Sequence, residues 1–151
     1  MLNFLLIFAL LNSCIELEIS APSFPDVVTY FAVSERMVGL TITYNLVGFC
    51  LASLVHGPLS EYYGRRPVMV VGNFVLAVGA VGCALAPSLE FLLLSRFIQG
   101  IGAATSAVVV SAIIADVYYG DKAAKLYGFM NAFFTAVMAI SPILGGIITH
   151  H

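Results

Sequence analysis

The sequence predicts an all-α, polytopic membrane helical bundle, and three observations carry that reading. Of 151 residues, 61% are hydrophobic and only 9% are charged, against roughly 25% charged in a soluble domain. The charges are clustered, so long apolar runs alternate with short polar ones. Each apolar run reaches the roughly 20 residues that cross the hydrocarbon core of a bilayer. Six Lys/Arg and eight Asp/Glu cannot coat a soluble surface. No basic patch offers itself to a nucleic acid. Cys14, Cys50 and Cys83 all lie in apolar runs, spaced for neither a disulfide framework nor a metal knuckle. They read as small buried apolar residues.

Five spans are expected, at about 2–21, 37–56, 68–89, 91–115 and 126–149. The first carries Glu16 and Glu18 in its second half. It lacks the basic n-region of a signal peptide, and no cleavage site with a soluble domain follows it, so it reads as a spanning helix. Residues 22–36 are expected to form a loop, with Pro22 and Pro25 at its start. Ser34 has the character of an N-cap for the second span. Glu35 then sits in the first turn, where the helix dipole favours an anion. Val33 and Val38 have the spacing of a hydrophobic staple.

The second loop is the island 57–67, with two glycines, two prolines, Glu61, Arg65 and Arg66 between runs that hold almost no charge. The third is short, around Pro87 and Ser88. The fourth, 116–125, holds Asp116, Asp121, Lys122 and Lys125. Loops two and four hold four of the basic residues and loops one and three only Arg36. The positive-inside rule therefore puts the amino terminus in the cytoplasm and His150–His151 outside. Gly72, Gly79, Gly82 and Ala86 share one face of the third span, and the fourth holds Gly100, Gly102, Ala103, Ala104 and Ser106. Small residues of this kind let helix backbones approach in lipid.

The run Gly57-x-Leu59-Ser60-Glu61-x-x-Gly64-Arg65-Arg66 resembles the loop signature between the second and third helices of the major facilitator superfamily. Leu92-x3-Arg96-x2-Gln99-Gly100-x2-Ala103 resembles the family's helix-four motif. Gly128, Ser141-Pro142 and Gly145-Gly146 resemble its helix-five antiporter motif. Glu18-x3-Pro22-x2-Pro25 resembles the acidic, proline-flanked end of helix one in bicyclomycin-resistance-type drug:proton antiporters. Three departures stand out. Glu61 replaces the usual aspartate, Val137 and Ser141 replace two glycines of the helix-five motif, and five helices are read where each half of such a transporter has six. On this resemblance the chain reads as the amino-terminal, incomplete six-helix half of a transporter whose carboxy-terminal half is missing. The resemblance implies proton-coupled antiport by alternating access, multidrug efflux among its forms, with a small-molecule substrate and protons as partners. The setting is a lipid bilayer, either a plasma membrane or a bacterial inner membrane.

Specific roles follow. Gly57, Glu61, Gly64, Arg65 and Arg66 are expected to form a conformational latch. For the arginines alone, a topological anchor is an equal reading. Arg96 lies inside a span, where an ionisable group is costly and marks function. Glu18 lies at matching depth, and the two are expected to meet as the proton-coupling element, with Glu16 turned away by about 200°. The other reading puts Glu18 in the wet interface. Gly128, Pro142, Gly145 and Gly146 imply a smooth, kinked helix that prevents leak, or ordinary close packing. Tyr44, Asn45, Gln99, Asn131 and Thr135 must face protein or a cavity and are candidate substrate contacts. His56, His150 and His151 read as interfacial groups and not as metal ligands. No nucleophile–base pair argues for an enzyme, and no phosphate loop implies a cofactor. The competing expectation is a non-transporting membrane fragment, or a sugar or metabolite carrier of the same superfamily.

Overall fold

The computed structural model describes residues 24–149. The expected span at 2–21, with Cys14, Glu16 and Glu18, and the terminal His150–His151 lie outside the described residues. Among the described residues the regular elements are all helices: α1 (Phe24–Phe31), α2 (Glu35–Tyr62), α3 (Arg65–Ala84), α4 (Leu89–Val117) and α5 (Asp121–Thr149). Of these, α2, α3 and α4 are long and apolar enough to cross a membrane.

The polar stretches are shorter than expected, because the helices run on through them. Residues 22–36 are not simply a loop, since α1 lies within them. Pro25 sits in its first turn, where a missing N–H costs nothing, and Asp26 adds an anion at the positive end of the dipole. The helix stops at Ala32, whose φ of 52° is left-handed and strained for a residue with a Cβ. Next, α2 passes through Pro58 to Tyr62, so the island 57–67 shrinks to a turn at Tyr63 and Gly64. Pro58 lies inside the helix, where it removes its own bond to the carbonyl of Leu54, and the helix continues past it to Tyr62. Gly64 makes the reversal at φ 91°, a conformation open mainly to glycine. The loop 116–125 likewise contracts to residues 118–120, with Gly120 at φ 58° before α5.

Caps differ from expectation too. Ser34 has the extended backbone of an N-cap but makes no side-chain capping bond. Its carbonyl accepts from the Met37 and Val38 amides at 2.9 and 3.3 Å. Ser88 is the working cap. Its hydroxyl accepts the Phe91 amide at 3.3 Å and its carbonyl the Leu92 amide at 3.0 Å. The third span ends at Ala84, short of residue 89, because Pro87 cannot extend a helix.

The chain divides into two compact units: Asp26–Val109, and Met1–Pro25 with Val110–His151. In the first, α2 presents a stripe at offsets of three and four: Val38, Thr41, Asn45, Gly48 and Ala52 are all buried. From α3, Val68, Gly72, Leu76 and Gly79 are buried. Between them runs the longest buried run among the described residues, Gly102 to Ser106 of α4. In the second unit, Tyr127 Oη donates to the Ser111 carbonyl at 2.8 Å, tying α5 to the end of α4.

Candidate functional site

Glycines bring α2, α3 and α4 into backbone contact within the first unit. A Cβ on Gly100 would meet the Asn45 carbonyl, and one on Gly48 the Phe97 carbonyl, so α2 and α4 touch at both points. A Cβ on Gly79 would lie 2.7 Å from the amide nitrogen of Gln99, and one on Gly82 2.6 Å from the Ser95 hydroxyl. Gly72 faces Thr105, and Gly102 of α4 faces the Leu76 backbone. Without water, such contact replaces hydrophobic exclusion as the force that joins helices.

Polar side chains gather where the backbones touch. Asn45 is 1% exposed and Gln99 5%. Gln99 Oε1 accepts two bonds, from Arg96 Nη1 at 3.3 Å and from Cys83 Sγ at 3.2 Å. Arg96 is half-buried, seven residues from the start of α4, or about 10 Å along the axis. A guanidinium at that depth is held by a neutral carbonyl oxygen that also binds α3. Cys83 therefore acts as a donor in this cluster, and Cys50 is exposed, so neither is the plain buried apolar residue expected from sequence. Asn73 Oδ1 accepts from Ser106 Oγ at 3.3 Å, a second α3–α4 tie. Thr105 Oγ1 lies 3.1 Å from His56 Nδ1, a tie from α2 to α4. His56 is thus bonded within the helix packing and is not merely interfacial.

The glycine-arginine turn builds a smaller site. Ser60, 1% exposed, donates to the Gly57 carbonyl at 2.9 Å, and its hydroxyl accepts from Arg65 Nη1. Arg66 and Glu61 are exposed. Two arginines in the first turn of α3 oppose the positive end of its dipole. The dipole does not explain them; Arg65 is held by its bond to Ser60 instead. Gly57 is interior to α2 with open space around it, so of the two glycines in the expected latch only Gly64 shapes the turn.

Other expected positions scatter. Tyr44, Asn131 and Thr135 are exposed and not turned into protein. The Thr135 hydroxyl is satisfied by its own helix, donating to the Asn131 carbonyl at 2.9 Å. Gly128 is exposed, with nothing near it. The backbone of α5 is helical through Pro142, Gly145 and Gly146, but side-chain positions there lie outside the described residues. Glu16 and Glu18 lie outside them too, so Arg96 alone of the expected proton-coupling residues is placed. Sequence reasoning missed Ser60, Asn73, Cys83 and Thr105 as polar ties. One signal was available: the α2 stripe 38, 41, 45, 48, 52 continues in steps of four to His56 and Ser60.

Comparison with known proteins adds the following. Residues 6–151 match the family model described as Major Facilitator Superfamily. The chain is 31% identical over 147 residues to an uncharacterised MFS-type transporter, YdgK, of Bacillus subtilis, covering 97% of this chain and 37% of that protein. It is 32% identical to a chloramphenicol resistance protein of Pseudomonas aeruginosa, covering 87% of this chain and 32% of that one. It is also 32% identical to the multidrug resistance protein MdtL of Klebsiella pneumoniae, covering 82% and 32%. The chain thus spans about a third of the length of the curated relatives it matches.

Proposed function

The chain belongs to the Major Facilitator Superfamily, and from that premise we propose that it forms the amino-terminal part of a proton-coupled antiporter that exports small drug-like or metabolite molecules by alternating access. The observation that carries the proposal is Arg96, an arginine inside a spanning helix, held by Gln99 at the point where Gly79 and Gly100 bring α3 and α2 against α4. An ionisable group in hydrocarbon is costly and is kept where it serves a substrate or proton pathway. The names of the chloramphenicol- and multidrug-resistance relatives support export of such molecules. The acidic end of the first span supports the bicyclomycin-resistance-type branch.

In this reading Glu18, with Glu16 behind it, exchanges the coupled proton against Arg96. Gly57, Glu61, Gly64, Arg65 and Arg66 latch one facing state, with Arg65 fixed on Ser60. Gly128, Pro142, Gly145 and Gly146 keep the fifth helix smooth against leak. The basic turns lie in the cytoplasm and the amino terminus with them. The remaining helices supply the opposite wall of the substrate path, which in this architecture lies between two halves.

The test is export from an efflux-deficient bacterium, with the chain expressed alone and joined to the remaining length of a multidrug-resistance relative. Export of chloramphenicol by the joined form, abolished by a protonophore and lowered by Arg96→Gln about tenfold or more, is the expected result. Export insensitive to the protonophore overturns the coupling, and no export from the joined form overturns the transporter reading.

A further inference from the structure

We infer that His56 is a proton-binding site of its own, reached from the turn at Tyr63–Gly64 and separate from the Arg96 cluster. His56 continues the buried stripe of α2 and is half-buried within a spanning helix. Histidine is the side chain whose charge changes near neutral pH, and an ionisable group within a span is a functional site by default. Its partner, Thr105, is 0% exposed, and Thr105 Oγ1 lies 3.1 and 3.4 Å from the two ring nitrogens. Gly72 leaves the space that Thr105 occupies.

The chemistry of this pair suits exchange. A neutral ring nitrogen accepts the threonine O–H. An imidazolium N–H donates to the threonine oxygen. Rotation of one hydroxyl therefore preserves the α2–α4 tie whether or not the ring carries the proton. Asn73 and Ser106, one residue further along α4, show no such symmetry, since neither titrates.

Access is also present. A cavity of about 250 Å³ is lined by both His56 and Thr105 and reaches Tyr63 and Pro67 at the turn. Tyr63, from the end of α2, is the only other titratable side chain lining it among the described residues. From α3 come Pro67, Gly72 and valines, and from α4 Ile101 and Thr105, none of them charged. The described residues that line the cavity carry no fixed charge. Arg65, held on Ser60 one turn beyond His56 on the same stripe of α2, is a cation that opposes the proton, so the site loads and unloads with the pH of the turn side. Arg96 lies nine residues from Thr105 on α4, about 13 Å away along the axis, so the two sites are distinct. The role of the site in export rests on the proton-coupled reading above.

The test is histidine ¹⁵N NMR of the chain in lipid nanodiscs between pH 5 and 8. His56→Gln, which keeps a hydrogen-bonding side chain opposite Thr105, assigns the signal against His150 and His151. The expected result is a His56 signal that passes from neutral to imidazolium in this range. Thr105→Val should shift its midpoint by about half a unit or more, and Val75→Phe, which narrows the cavity, should slow its exchange, with neither changing the other histidines. A His56 signal that stays in one form throughout, or that ignores both variants, overturns the inference and leaves His56 a structural tie. Circular dichroism of each variant checks that the helices persist. Failure of the joined protein to export would count against transport and leave this titration standing.

Discussion

Gly100 and Gly57 are both glycines within helices, yet their surroundings make opposite predictions. A Cβ at Gly100 would strike the Asn45 carbonyl, whereas Gly57 has open space. Gly100→Val should lower stability by about 1–3 kcal/mol through overpacking. Gly57→Ala should raise it by about 0.5–1 kcal/mol, since alanine loses less backbone freedom in a helix. Thermal unfolding in detergent measures both. Gly64→Ala should behave like Gly100→Val in sign, because φ 91° is strained for any side chain. The sequence shows which residues are small but not which of them face a backbone. That depends on the crossing point of two helices, which no local pattern encodes. Arg96 is legible because a charge in an apolar run is conspicuous. Gln99's double acceptance, from Arg96 and from Cys83 sixteen residues earlier, is not.

Helix ends separate composition from conformation. Ser34 and Ser88 both precede an acidic residue in a first turn, and only Ser88 caps with its hydroxyl. Ser88→Ala should therefore cost about 0.5–2 kcal/mol, and Ser34→Ala should change little, both read as shifts in the denaturation of the chain in detergent. The apolar runs announce α2, α3 and α4 plainly, since spanning length is a property of composition. Their ends are harder to read. Polar residues such as Glu61 and Asp116 mark a membrane surface, but a helix projecting past the hydrocarbon keeps its own hydrogen bonds and has no reason to stop there. For that reason α2 reaches Tyr62 and the island is mostly helix. Ala32 ends α1 with a left-handed turn at a cost; Ala32→Gly should recover about 1 kcal/mol.

At the scale of the molecule, the arrangement of charge predicts sidedness. Single cysteines placed at Tyr63 or Tyr119 should react with an impermeant maleimide from the cytoplasmic side, and one at Ser88 only from outside, in intact cells. The reverse pattern would invert the topology argued from Arg65, Arg66, Lys122 and Lys125. The all-α bundle was legible throughout, because hydrocarbon leaves the backbone few options. The polar ties between helices that end on α4 were not, because each joins residues far apart in the chain: His56 with Thr105, Asn73 with Ser106, Cys83 with Gln99. All three point from α2 or α3 to α4, and that has a consequence for biosynthesis. While the ribosome is still making α4, the hairpin of α2 and α3 carries imidazole, amide and thiol groups whose partners do not yet exist. Such a hairpin partitions poorly into lipid alone, so it should dwell beside the translocon and be released as one body with α4.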